Sequence, residues 1–172
     1  TVPERMCSAF AVLRMPPIPQ IPEPIRGGFW ARVAVVWTGD PAEGERLLAP
    51  LRAAAPVAVD WVEEMPYTDI DRVHLDPQDP LPARESCSLL RELPPQAQRA
   101  FLDQVGPDAS GSPILVAQIR HMGGALSRPA RTEDAICARD AAHLLEAVAV
   151  MGAPPDAEAV EHATASLHTA MS

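Results

Sequence analysis

Apolar and polar residues alternate in segment 112–128 (SPILVAQIRHMGGALSR). Between Leu115 and Arg120 the odd positions are apolar and the even positions include Gln118 and Arg120, so the period of two predicts a strand with one core face and one polar face. Gly123 and Gly124 follow, and glycines permit a turn or the close approach of a backbone or flat ligand. From spacing alone, a half-exposed antiparallel strand that ends in a turn is the simplest interpretation, and a cavity-lining strand is the alternative.

Similar patterns predict the other elements. Strands are expected at 29–37, 57–63, 84–90, 114–120 and 142–150, and helices at 41–54, 94–105 and 155–171. Asp40 and Pro41 supply the cap and first residue of the first helix. The composition of 142–150 also suits a helix, but a strand lets the helix after it cover the sheet. Segment 7–15 alternates weakly, and the proline-dense segment 16–28 predicts an extended, polyproline-like connector.

The order of these elements predicts the fold class. Two strand-helix-strand units, 29–63 and 84–120, point to an internal duplication within a single domain spanning 1–172. Such units favour an α+β fold with helices on one face of the sheet and the other face open. The open face would carry Trp30, Arg32, Gln118 and Arg120, together with Glu146 or His143. A sheet face with Trp and Arg suits ligand binding or docking.

Composition narrows the classes of partner. The net charge is −9 without a basic cluster, which argues against nucleic acid or an anionic membrane as partner. No apolar run is long enough for a membrane span, and no signal-peptide pattern follows Thr1, so a cytoplasmic location is expected. All 14 basic residues are Arg, which suggests a bacterial source with a GC-rich genome. Because the sequence opens without Met, it is expected to be processed or part of a longer protein.

Motifs for self-contained chemistry are missing. The sequence has no glycine-rich phosphate loop and no nucleophile motif, and its five histidines lack metal-site spacing, so no metal is expected. His162 and His168 are expected to face solvent. The odd number of cysteines predicts buried free thiols at Cys7, Cys87 and Cys137. Tyr67, the only tyrosine, is expected in a turn or the core.

Five segments in order carry a resemblance to a known family: MPPIPQIPEPIRG (15–27), GDPAEGERLLAPLRA (39–53), MPYTDI (65–70), QIRHMGGALSR (118–128) and CARDA (137–141). Together they resemble bacterial FAD-linked oxidases of the berberine-bridge-enzyme-like group, in the vanillyl-alcohol-oxidase-type superfamily. The resemblance implies a substrate-binding domain of two ferredoxin-like halves, with a mainly antiparallel sheet and helices on one face. Its open face would cover the isoalloxazine ring of FAD held by a separate flavin-binding domain, absent from this chain.

The resemblance also implies roles for residues. In the complete oxidoreductase, hydride would pass from a small organic substrate to the flavin, and this domain alone would not be catalytic. Gln118, Arg120 and His121 are expected nearest the substrate, with Trp30 and Arg32 next and Gly123 and Gly124 towards the cofactor. Arg120 and His121 can share one face only if the strand ends at the glycine pair. Family members often carry Glu at the position of Gln118.

A second hypothesis makes the chain a stand-alone ferredoxin-like module that binds a ligand or dimerises and has no catalytic activity. Another subunit would then cover the open sheet face, as an exposed apolar sheet requires. A flavin-binding domain and a small-molecule substrate are the partners expected under the first hypothesis, and a second copy of the chain under the other.

Overall fold

Five strands form one antiparallel sheet in the computed structural model, which describes residues 3–74, 79–109, 111–150 and 157–172. Every hydrogen-bonded strand pair in these ranges is antiparallel, and the order is β2-β1-β4-β5-β3. The strands are β1 (Met6–Arg14), β2 (Phe29–Trp37), β3 (Ala83–Leu90), β4 (Val116–His121) and β5 (His143–Val150). The helices are α1 (Pro41–Ala54), α2 (Pro95–Val105) and α3 (Ala157–Ala170), with 3₁₀ turns at Glu23–Ile25, Tyr67–Val73 and Gly124–Ser127. The expected α+β class is confirmed.

The hydrophobic core lies between the sheet and two helices. Phe101 and Val105 of α2, Leu167 of α3 and Met171 just after α3 pack against one face of the central strands. That face includes Ala117 and Ile119 of β4, the apolar positions of the alternating pattern. Because side chains alternate along a strand, Gln118 and Arg120 must project from the other face. We call that second surface, turned away from α2 and α3, the polar face.

Helix α1 has the predicted bounds because local capping fixes its start. Asp40 accepts a hydrogen bond from the Glu43 amide at 3.1 Å, and Pro41 occupies the first turn, where its missing N–H costs nothing. The indole of Trp37 donates to the Asp40 carbonyl at 2.8 Å. Gly44 lies so close to this indole that an added Cβ would be 2.7 Å from it. The turn between β2 and α1 is therefore fixed from both sides.

The predicted strand at 57–63 is wrong, and so is the strand-helix-strand unit 29–63. The segment has no ladder partner, and Val57, Trp61 and Val62 remain exposed. Asp60 accepts hydrogen bonds from Arg52 Nε at 2.6 Å and from the Val62 amide at 3.1 Å, which turns the backbone and ties it to α1. The strand beside β2 is instead β1, whose weak alternation reflects burial on both faces.

The second predicted unit has the expected elements in a different arrangement. β3, α2 and β4 follow in order, but β5 lies between β3 and β4 in the sheet. The strand assignment of 142–150 is confirmed because β5 pairs on both sides. The last helix is confirmed over Ala157–Ala170, and positions 155 and 156 of its predicted range lie outside the described residues.

The predicted conformation of the connector and the predicted burial of the cysteines are also wrong. Segment 16–28 forms tight turns instead of a polyproline helix, since Ile25 N bonds Pro22 O at 3.1 Å and Met15 N bonds Gly28 O at 2.9 Å. All three cysteines are free and exposed, because they lie near the start of β1, on edge strand β3 and in the loop before β5.

His168 is not solvent-facing as predicted. Its Nδ1 and Nε2 lie 2.8 Å from Ser88 Oγ and 2.9 Å from Ser86 Oγ, and partial burial lowers its pKa. Both serines lie on the core side of β3, so the imidazole joins α3 to the edge of the sheet. His162, on the same helix, is exposed as expected.

Candidate functional site

One line of paired residues crosses the whole sheet on the polar face. Arg32 pairs with Ala11, Ala11 with Gln118, Gln118 with Glu146, and Glu146 with Cys87. Directly paired residues of antiparallel strands project to the same face, so the register brings together side chains from distant parts of the sequence. Ala11 is small, which leaves room beside Gln118 for its larger neighbours.

At the centre of this line three side chains form a bonded group, which we call the polar cluster: Gln118, Arg120 and Glu146. One carboxylate oxygen of Glu146, Oε2, accepts a hydrogen bond from Gln118 Nε2 and an ion-pair contact at 3.1 Å from Arg120. The Glu146 side chain is only 12% exposed, whereas that of Arg120 is 38% exposed. Because a carboxylate only accepts, it fixes the Gln118 amide with its NH₂ group towards Glu146.

The polar cluster also contains groups without partners. Gln118 is 4% exposed, and its Oε1 makes no hydrogen bond with the described part of the chain. Arg120 Nε is likewise buried without a partner among those residues. A buried polar atom left unpaired costs about 1–3 kcal/mol, so most such atoms in proteins are satisfied. This acceptor and this donor are therefore left to pair with water, a ligand or another domain.

Trp30 and Arg32 lie on the polar face as predicted, but their polar atoms contact nearby loops. Trp30 Nε1 donates to the Ile25 carbonyl at 2.8 Å, and Arg32 donates to the His74 carbonyl at 3.1 Å. The Trp30 ring also lies against Gly28, where an added Cβ would be 2.4 Å from the indole nitrogen. Each of the two side chains therefore holds a loop beside β2.

His121 lies on the opposite face from Arg120. It pairs with His143, their ring centroids are 6.1 Å apart, and His143 contacts the core-side residues. Burial lowers the pKa of His143, and His121 lowers it further by charge repulsion. Of the two alternatives left open on β5, Glu146 lies on the polar face and His143 does not. The choice between these two residues depends on the pairing register, which the sequence does not reveal before the partner strands are known.

The glycine pair follows the end of β4. An added Cβ on Gly123 would lie 2.7 Å from the His121 ring, so the imidazole folds back over this residue. Gly124 has φ +65°, a conformation that favours glycine, and begins the 3₁₀ turn. These contacts explain both glycines locally, and a position next to a cofactor remains a prediction.

Cys87, at the end of the line, is a poor nucleophile. Although the residue is exposed, partial desolvation of its thiol raises the thiol pKa, and the nearby carboxylates of Glu85 and Glu146 raise it further, which keeps the sulfur protonated. Within the described ranges, no group of three or more His, Cys, Asp or Glu residues could hold a metal ion. None of the helices described is long and apolar enough to cross a bilayer.

The architecture is that of an α+β domain found within larger oxidases. Physcomitrella patens BBE-like 1 superposes with a TM-score of 0.70 and 15% identity over 99% of this chain and 37% of its own. Chitooligosaccharide oxidase gives a TM-score of 0.67 and 14% identity over 98% of this chain and 36% of its own. Aclacinomycin oxidoreductase gives a TM-score of 0.64 and 13% identity over 97% of this chain and 33% of its own.

The chain thus spans 33–37% of the length of these solved structures. The resemblance to berberine-bridge-enzyme-like oxidases is confirmed as a shared fold. A scan against protein-family models and a sequence search of curated proteins find no match.

Proposed function

We propose that this chain is the substrate-binding domain of an FAD-dependent oxidoreductase, with the polar face turned towards a flavin held by a separate domain. The polar cluster is the observation that carries the proposal. It combines a mostly buried carboxylate with an unpaired acceptor and an unpaired donor, on the face free of α2 and α3. The fold shared with a protein named as an oxidase and another named as an oxidoreductase supports the assignment.

The residues fit a flavin that covers this face. The unpaired Oε1 of Gln118 is an acceptor and Nε of Arg120 is a donor, the two kinds of group that would pair with the N–H and carbonyl groups of an isoalloxazine ring. Bound flavin would supply the hydride acceptor. Trp30 and Arg32 would border the substrate space by holding the loops of residues 16–28 and 67–74 beside it.

Glu146 would accept the proton released when the substrate is oxidised. Its carboxylate is held within the sheet by Gln118 and balanced by Arg120, so it is already oriented towards the polar face. A substrate with an ionisable hydroxyl or amine would suit this arrangement because oxidation at the adjacent carbon releases a proton together with the hydride.

The test uses the product of the complete reading frame that encodes this chain, purified without added cofactor. Flavin absorbance, and its bleaching under anaerobic conditions by a member of an alcohol, sugar and amine panel, are the expected results. A colourless product would contradict the proposal. If that product were also a dimer by light scattering, and Leu89→Asp on the polar face dissociated it, the stand-alone dimerisation module would be supported instead.

A further inference from the structure

A pocket of about 390 Å³ opens on the core side of the sheet, opposite the polar cluster. Its walls include Phe10, Leu93, Phe101, Leu102, Ile119 and His143. Phe10 of β1 meets Phe101 of α2 edge-to-face, with ring centroids 6.3 Å apart. Phe10 nevertheless remains 37% exposed, so this contact leaves a cleft between α2 and β1.

The pocket walls are mainly apolar and include a few polar side chains. Ser8 and His143 lie in the sheet part of the lining, and Gln98 lies on α2. His143 Nδ1 is buried and makes no hydrogen bond within the described chain. A neutral imidazole carries one donor and one acceptor nitrogen, so His143 brings hydrogen-bonding capacity to the pocket wall.

We propose that this pocket binds a small aromatic molecule that carries one hydroxyl group. Its volume falls within the range of small-molecule sites, and two phenylalanine rings together with the imidazole of His143 match a phenol-like ligand. Among the lining residues, Phe10 and Leu102 are the large apolar side chains that remain exposed. Two exposed apolar side chains are few beside the roughly 20–30 residues that each side of a stable protein interface uses, which favours a small molecule as the occupant. The proposal is independent of the flavin-dependent function.

Binding of 1-naphthol to the 172-residue chain tests the proposal, with naphthalene as the matched probe that lacks the hydroxyl. We expect saturable one-to-one binding by calorimetry, and amide NMR shifts centred on residues 8–10, 98–102 and 143. A single hydrogen bond worth about 1.4 kcal/mol makes 1-naphthol bind about tenfold more tightly than naphthalene. His143→Phe should remove this difference.

Leu102→Asp places a charge at the rim and should abolish binding of both probes. Leu89→Asp is its control, because Leu89 is 43% exposed against 46% for Leu102 but projects from the polar face. Unsaturable binding, equal loss in both aspartate variants, or shifts centred on the polar face would overturn the proposal. It would also fail if light scattering showed a dimer that Leu102→Asp dissociates, since the occupant would then be a second copy.

Discussion

Replacing Glu146 by leucine should destabilise the fold through the side chains left behind. Gln118, 4% exposed, would lose the acceptor of its NH₂ group while its carbonyl oxygen stays unpaired. A hydrogen bond to an ionised acceptor contributes about 1.5–3 kcal/mol. The Arg120 contact adds at most about 1 kcal/mol because that side chain is 38% exposed and screened by solvent.

After the added leucine packing is allowed for, we expect a net loss of about 2 kcal/mol in the free energy of unfolding. For a chain of this size that loss lowers Tm by roughly 4–8 °C. The double variant Gln118→Leu/Glu146→Leu should recover most of it, because replacing both hydrogen-bonding partners by apolar groups is nearly neutral.

Urea unfolding followed by circular dichroism measures this double-mutant cycle. The predicted coupling between positions 118 and 146 is about 1.5–2 kcal/mol. Strictly additive costs would refute the reasoning, since the bond between Gln118 and Glu146 would then contribute nothing to stability. Gln118→Leu alone separates the amide from the carboxylate, because Glu146 keeps its Arg120 partner in that variant.

Three further predictions follow from other parts of the fold. Arg14→Met removes the guanidinium that donates to the carbonyls of Val105, Gly106 and Ala109 at 3.2, 2.6 and 2.9 Å, so hydrogen exchange at the end of α2 should accelerate and stability fall by about 1–3 kcal/mol; unchanged exchange would contradict the capping role. Burial lowers the pKa of both His143 and His168, so the unfolded chain binds protons at a higher pH than the folded chain does. The urea midpoint should therefore fall as the pH drops below about 6.5. This fall should be shallower in His143→Phe, whereas a variant of exposed His162 should show the wild-type fall. Gly124→Ala should cost roughly 1–2 kcal/mol by thermal unfolding, because φ is +65° and the new Cβ would lie 3.2 Å from the Glu4 carbonyl; an unchanged Tm would refute this.

Local signals in the sequence predicted local structure well. The Asp40 cap and Pro41 defined α1, and period-two alternation identified β4 and the side from which Gln118 projects. These features depend on residues that are close together in the sequence, so they can be predicted without knowing the tertiary fold.

The failures arose where tertiary partners decide the structure. Segment 57–63 alternates like a strand, but Asp60 bonds Arg52 and the Val62 amide instead of allowing a ladder. β1 alternates weakly because its neighbours bury both of its faces. Glu146 could not be chosen over His143 until the pairing of β4 with β5 was known, because a register shift of one residue exchanges the two faces.

The proposed role of Glu146 as proton acceptor is tested most directly by the rate of flavin reduction. In the complete reading-frame product, Glu146→Gln keeps an acceptor for Gln118 but removes the base, so the anaerobic single-turnover rate with a substrate should fall about 100-fold or more. Glu158→Gln, an exposed position at the start of α3, is the control and should reduce at the wild-type rate. A Glu146→Gln rate equal to that of the control would contradict the account.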